Sequence, residues 1–342
     1  MTQTSVRGAS TPTHGRPASG HDPLRERLGR LLTGAVGTIA MTLAAVIVLG
    51  TILAGQEFLS ASNIAIVGSF VAVPIIVGTF AGFSLLSGVV DLSIGSMVGF
   101  SAAAFASLTQ AGWGGWSAAA VTLLLCLVFG VLNAVAIVTF NADPIAATLG
   151  MLTALRGLCR VLTGGSGAIT AFNDQFYEFT NKSFGPLPLL FFISLVVAVL
   201  ATVVVTKTRL GRHIRAVGGE ERAAQRAGMS VARIRYGALM LSAVGAGIGG
   251  ILYIGQLGGA SNTTGMGLEF QVYAALMIGG YSILRGGVGN PSGGVMGLLV
   301  VAGVSNLIDL TGVNTYFTNL IVGALLLAAV FLDRLRGGDA YE

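Results

Sequence analysis

Apolar residues run in long blocks along this chain, and polar residues gather between them. The blocks lie near 33–55, 61–87, 93–110, 116–140, 144–162, 187–206, 237–257, 268–285, 292–308 and 315–333. Roughly twenty residues of helix, rising about 1.5 Å each, cross the hydrocarbon core of a bilayer. The pattern therefore predicts an all-α, polytopic membrane protein with about ten transmembrane helices. Residues 1–30 are rich in Ser, Thr, Pro, Gly, His and Arg, show no apolar periodicity, and read as a disordered tail. A signal peptide is the competing reading, but the first apolar block is of spanning length. The expected organisation is a tail over 1–30, a transmembrane domain over 31–336 and a short end over 337–342.

One long polar run interrupts the domain, over 207–236. It carries Arg209, Arg212, Arg215, Arg222, Arg226, Arg233 and Arg235 against Glu220 and Glu221. Excess Lys and Arg in a short loop between spans marks the cytoplasmic side. With the N-terminus inside, ten spans also place Arg285, Arg334 and Arg336 inside and leave Lys182 in an outer loop. The basic residues and the alternation of spans thus agree. Glu220 to Ala227 is compatible with a short surface helix. Glu220 and Glu221 would sit in its first turn, where negative charge suits the helix dipole. Gly228 would stop it, and Ala223, Ala224 and Ala227 would give it a small face for another protein. The bland alternative is a solvated basic loop that only fixes topology.

Composition supports the membrane class: 54% of residues are hydrophobic, 10% are charged and 51 are glycine. Small residues let membrane helices approach closely. The net charge of +5 does not argue for nucleic acid, because the basic residues fall where membrane topology wants them. Cys126 and Cys159 lie in apolar blocks and read as small buried hydrophobes. The outer loop from Thr163 to Pro186 is aromatic, as an interfacial belt or a docking surface would be.

Few residues carry chemistry. Asp91 lies in or beside the membrane, in Ser87 to Ser96. A mid-bilayer acid costs about 2.5–3.5 kcal/mol on insertion scales, so it must face protein or water. Gly88 and Gly95 permit a broken helix there. Asp91, Leu92, Ser93 and Gly95 then mark either a structural helix cap or a stretch of substrate pathway. Asp143-Pro144 reads as an N-cap with Pro in the first turn. Arg156 lies deep enough to need a partner, for which Asp91 is one candidate. Asn133, Gln271 and Asn306 are polar positions within spans, fit for interhelical hydrogen bonds or for solute contact. Gly82–Val90 resembles Gly280–Val288, the kind of internal repeat found in transporters. There is no GxxxxGK[ST] phosphate loop, so ATP hydrolysis by that route is excluded, and the three histidines lie in the tail and the basic run.

Three stretches carry a family resemblance: GVVDLSIGS, ATLGMLTALRGL (Ala147 to Leu158) and TRLGRHIRAVGGEERAAQRAGMSVARIR. They resemble, in order and spacing, the permease subunits of ribose/xylose/galactose-type ABC sugar importers. The resemblance implies a permease, not an enzyme, that moves a pentose, hexose or related polyol by alternating access. It implies a second permease copy or paralogue, a cytoplasmic ATPase that holds ATP and Mg, and an extracytoplasmic sugar-binding protein. This chain itself would hold no cofactor. The role of ATPase coupling falls on Gly218, Gly219, Glu220, Glu221, Ala223, Ala224 and Gly228. Glu220 stands where the family usually has Asn, Gln271 where it has an acid, and Tyr281 where it has a small polar residue. The alternative class is an ion-coupled secondary transporter or a passive channel acting without an ATPase. The scarcity of acids within the spans argues against it.

Overall fold

A computed structural model describes residues 35–165, 167–171, 174–314 and 316–338. The tail over 1–30 and the last four residues of the expected C-terminal end lie outside the described residues. Each apolar block predicts one helix, and each contains one. They are α1 Ala35–Ala54, α2 Ala61–Leu86, α3 Ile94–Gln110, α4 Gly115–Ala134 and α5 Pro144–Leu162. A short helix α6, Asp174–Asn181, precedes α7, Leu189–Lys207. The basic run folds into α8, Arg209–Gly219, and α9, Glu221–Arg226. The chain closes with α10 Val231–Leu257, α11 Leu268–Ile278, α12 Pro291–Leu310 and α13 Tyr316–Gly338. Among the described residues, seven helices are long and apolar enough to cross a membrane.

Local chemistry sets the boundaries. Ser60 caps α2 by accepting from the Asn63 amide at 3.2 Å. Asp143 caps α5 through the Ala146 amide at 2.9 Å, with Pro144 opening the helix as the sequence suggests. Gly258, at φ +69°, ends α10 in the left-handed conformation that side chains resist. Two of the edges that differ from the hydropathy pattern show why it misplaces them. α10 begins at Val231, so Arg233 and Arg235 ride its first turns; hydropathy marks the apolar part of a helix, not its polar end. The block 268–285 holds helix only to Ile278, because Gly279 and Gly280 follow and Gly280 takes φ +90°.

Helix α10 is the centre of the bundle and packs on α2, α3 and α4. Its glycines make those approaches possible. Gly245 and Gly249 face Phe80 and Val77 of α2, Gly247 faces Cys126 of α4, and Gly250 faces Val98 and Ser101 of α3. The Ser101 hydroxyl then donates to the Gly247 carbonyl at 2.6 Å. Cys126 and Cys159 are buried and free.

Helices α3 and α11 are shorter than a span, at 17 and 11 residues. Both are preceded by irregular backbone inside the bundle. Asp91, just before α3, bonds to Ser242, which lies about 16 Å along α10 from Val231 at about 1.5 Å per residue. The turn before α11 packs Thr264 and Gly265 against Gly99 and Gly95 of α3. Non-helical backbone at membrane depth is tolerated only where protein or a cavity surrounds it. At the end away from the basic helices, β1 (Ala168–Thr170) pairs antiparallel with β4 (Gly259–Ser261), with Ala168 opposite Ser261. Nearby, β2 (Ser183–Phe184) and β3 (Leu187–Pro188) form a small hairpin.

Candidate functional site

The end opposite the basic helices holds a cavity of about 410 Å³, walled by α2, α10, α11, α12 and the turn 261–267. That volume falls in the range of about 300–1,000 Å³ typical of small-molecule sites. Its polar lining includes Ser261, Thr263, Gln271, Ser305, Asn306 and Asp309, with Tyr253 and Phe70 as aromatic walls. Gln271 sits there because α11 starts partway through the bundle and aims its first turns at the opening. Asn306 is held by a reciprocal amide pair. Its Nδ2 donates to Asn63 Oδ1 at 2.7 Å, and Asn63 Nδ2 donates to Asn306 Oδ1 at 2.9 Å. Behind that pair lies a second, apolar crevice between α1, α2, α7 and α12, which shares Val67, Val71 and Asn306 with the cavity wall.

Asp91, Ser93 and Asn133 are elsewhere, in one buried network at the start of α3. Asp91 is 2% exposed. Its Oδ1 accepts from the Ser93 hydroxyl at 2.6 Å and the Ser93 amide at 3.1 Å, and its Oδ2 accepts from the Ser242 hydroxyl at 2.8 Å. Tyr273 closes the ring: its hydroxyl donates to the Asp91 carbonyl at 3.0 Å and receives the Asp91 amide at 2.9 Å. Asn133 donates to Ser93 Oγ at 3.0 Å. Every Asp91 oxygen thus has a neutral donor; the carboxylate ties the start of α3 to α10, and the wider network, through Ser93 and the Asp91 backbone, adds α4 and α11. Leu92 is half-buried against the main core.

Arg156 does not meet Asp91. Its Nη1 donates to the Thr264 carbonyl at 2.6 Å, which pins the turn before α11 to α5. Buried Glu269 supplies the opposite charge nearby, yet the two make no ion pair within 4 Å, and Arg156 Nη2 and Glu269 Oε2 both lack a hydrogen-bond partner. Gly95 and Gly99, one turn apart on α3, leave the space these side chains occupy. Tyr281, buried at 2% exposure, fills a slot beside Gly82, Gly289 and Gly294 and does not line the cavity.

At the basic end, α9 spans Glu221–Arg226 with Glu220 as its cap residue, close to the helix expected there. Gly228 takes φ +79°, consistent with a stop. Gly219, Glu220, Ala223 and Gly228 are exposed, Gly218 and Glu221 are half-buried, and Ala224 is buried against Val217 and Val231. Arg209, Arg212, Arg222 and Arg226 project around this patch. Glu221 is committed to an ion pair with Arg235 at 2.8 Å. Arg235 in turn reaches the Ser87 carbonyl at 3.5 Å.

Sequence reasoning missed Ser242, Tyr273 and Asp333, and counted Arg215 only as one charge of the basic run. Arg215 donates to the Gly289 carbonyl at 2.7 Å, and Asp333 accepts from the Ser282 hydroxyl at 2.8 Å. Polar residues within or flanking apolar blocks were the available signal, but their partners lie far away in sequence.

Two short helices preceded by irregular backbone, a polar cavity at one end and an exposed basic surface at the other suit a membrane transport permease. Residues 65–330 match the family described as branched-chain amino acid transport system / permease component, and the chain belongs to that family. It is 30% identical to the D-allose transport system permease protein of Escherichia coli, over 87% of this chain and 91% of that one. It is 32% identical to the autoinducer 2 import system permease protein of Klebsiella pneumoniae, over 72% and 75% of the two chains. A third relative is the L-arabinose ABC transporter permease protein of Azospirillum brasilense, 31% identical over 74% of each chain. No solved structure matches. The resemblance to ABC importer permeases read from the motifs therefore holds, and the chain is a transport component rather than an enzyme.

Proposed function

We propose that this chain is the membrane-spanning permease subunit of an ATP-driven importer for a small polyhydroxylated solute, a pentose, hexose or related polyol. The solute crosses the cytoplasmic membrane by alternating access. The relatives named for allose and arabinose support a sugar. So does the cavity, whose hydroxyl and amide groups, with the Asp309 carboxylate at its edge, offer the hydrogen-bonding groups a polyol needs. The observation that carries the reading is the continuity of the two ends: α11, which aims Gln271 into the cavity, runs on into the loop that packs beneath the coupling helices.

In this reading the basic end is cytoplasmic, and a separate ATPase docks on Gly219, Glu220, Ala223 and Gly228. That ATPase holds ATP and Mg. A second permease copy or paralogue completes the pore, and a binding protein delivers solute to the outer cavity. Ion coupling through Asp91 gains no support, because its oxygens are satisfied by hydroxyl and amide donors away from the cavity.

The test is affinity purification of the tagged chain from gently solubilised native membranes, with Glu220→Lys beside it. Glu220 is the residue to change, because Glu221 already pairs with Arg235. The expected result is an ATPase that comes down with the native chain and falls at least tenfold with the variant. A well-folded native oligomer without an ATPase, moving solute alone in liposomes, sinks the importer reading in favour of a channel or secondary transporter.

A further inference from the structure

Beneath the coupling helices three stretches of backbone touch with no side chain between them. Gly218, near the end of α8, lies against the turn after α2 and the loop after α11. A Cβ on Gly218 would overlap the Leu86 carbonyl oxygen and stand 2.7 Å from the Gly287 nitrogen. A Cβ on Gly286 would stand 2.8 Å from Gly88 Cα and press on the Gly218 carbonyl. Gly287 donates its amide to the Leu86 carbonyl at 2.9 Å. It takes φ +78°, and a Cβ there would meet the Arg215 carbonyl. Gly88 takes φ +82° and faces Gly218. The obstacles are backbone atoms, which cannot rotate aside as side-chain ends do. Arg215 binds the Gly287 and Gly289 carbonyls at 3.5 and 2.7 Å and holds the loop on α8.

Gly88 and Gly286 occupy matching places in the two similar stretches of sequence, Gly82–Val90 and Gly280–Val288. The stretches are not built alike: the first is helical to Leu86, and the second is loop throughout. What they share is position, because they meet each other. Three residues beyond Gly88 lies Asp91, whose network anchors α3. The loop that contains Gly286 joins α11, with Gln271, to α12, with Asn306.

We infer that Gly88, Gly218, Gly286 and Gly287 form a backbone clasp that positions both broken helices against the coupling segment, so that a displacement of α8 and α9 reaches α3, α11 and α12 together. The inference rests on the importer reading and names the contact through which the ATPase would act on the cavity. Close-packed backbone is stiff, and it has few intermediate arrangements in which motion could be absorbed.

The experiment uses the complete transporter, permease with its co-purified ATPase and binding protein, in proteoliposomes. It reads solute moved per ATP hydrolysed. Gly218→Ala is expected to lower that ratio at least tenfold while the ATPase still co-purifies. Gly237→Ala, in the second turn of α10 with nothing within 4 Å of the added Cβ, is expected to keep the wild-type ratio. A Gly218→Ala ratio within twofold of wild type overturns the clasp, and so does an equal loss in Gly237→Ala. Should Gly218→Ala fail to assemble, Arg215→Ala carries the test, since it removes two hydrogen bonds without adding volume. A several-fold lower ratio supports the clasp, and an unchanged ratio overturns it. A native complex with no ATP-dependent uptake overturns the importer reading itself, before any variant is compared.

Discussion

At the residue scale, Asp91 shows how a membrane protein keeps an acid without exposing it. Its carboxylate takes three hydrogen bonds from Ser93 and Ser242, and its backbone takes Tyr273. Asp91→Ala would orphan the Ser93 and Ser242 donors, and each buried unsatisfied group costs about 1–3 kcal/mol. The expected outcome is a clear fall in the thermal midpoint of the purified protein. Asp91→Asn, which keeps one acceptor, is expected to fall less and to retain solute uptake; a fully stable Asp91→Ala would show the network to be dispensable. The sequence marked Asp91 and Ser93 as a helix break with polar content, and left cap and pathway open. It did not reveal that Arg156 looks elsewhere. Thr264 lies 108 residues beyond Arg156, in a turn whose depth comes from α11 being half a span, and hydropathy averages over that distinction.

At the element scale, apolar blocks located the spanning helices well, because helix length and bilayer thickness impose the same count of residues. They failed where a helix was not a full span or not apolar. Helix α11 stops at a glycine pair inside an apolar block. Helix α8 was legible only as a basic run, yet it buries Gly211, Ile214 and Val217 along one face while Arg209, Arg212 and His213 point outward. Its buried apolar positions were too few to stand out among the charges. Ile214 is 2% exposed, and truncating a buried Ile to Ala typically costs about 2–5 kcal/mol. Ile214→Ala is expected to lower the thermal midpoint and loosen α8, read as faster amide exchange over 209–219. By contrast Glu221→Gln should change stability by under about 1 kcal/mol, because the Glu221–Arg235 pair is partly exposed. Exchange in α8 that stays at the wild-type rate in Ile214→Ala would show that the helix is held by its backbone contacts instead.

At the scale of the whole molecule, the bundle is organised around α10, and its binding is long-range. Asp91 meets Ser242 151 residues further along the chain and Tyr273 182 residues further along. A ribosome adds about 5–20 residues per second. Asp91 is therefore synthesised roughly 8–30 s before Ser242. Until then the Asp91 carboxylate has only Ser93 as a donor, and α2 and α4 have no α10 to pack on. The first half of the chain is thus an insertion intermediate that must wait, with a polar group unsatisfied, for its own centre to arrive. A chain truncated after residue 230 is expected to be cleared from the membrane many-fold faster than one truncated after residue 290, measured by pulse-chase. Equal half-lives would mean that the early helices find stable partners among themselves.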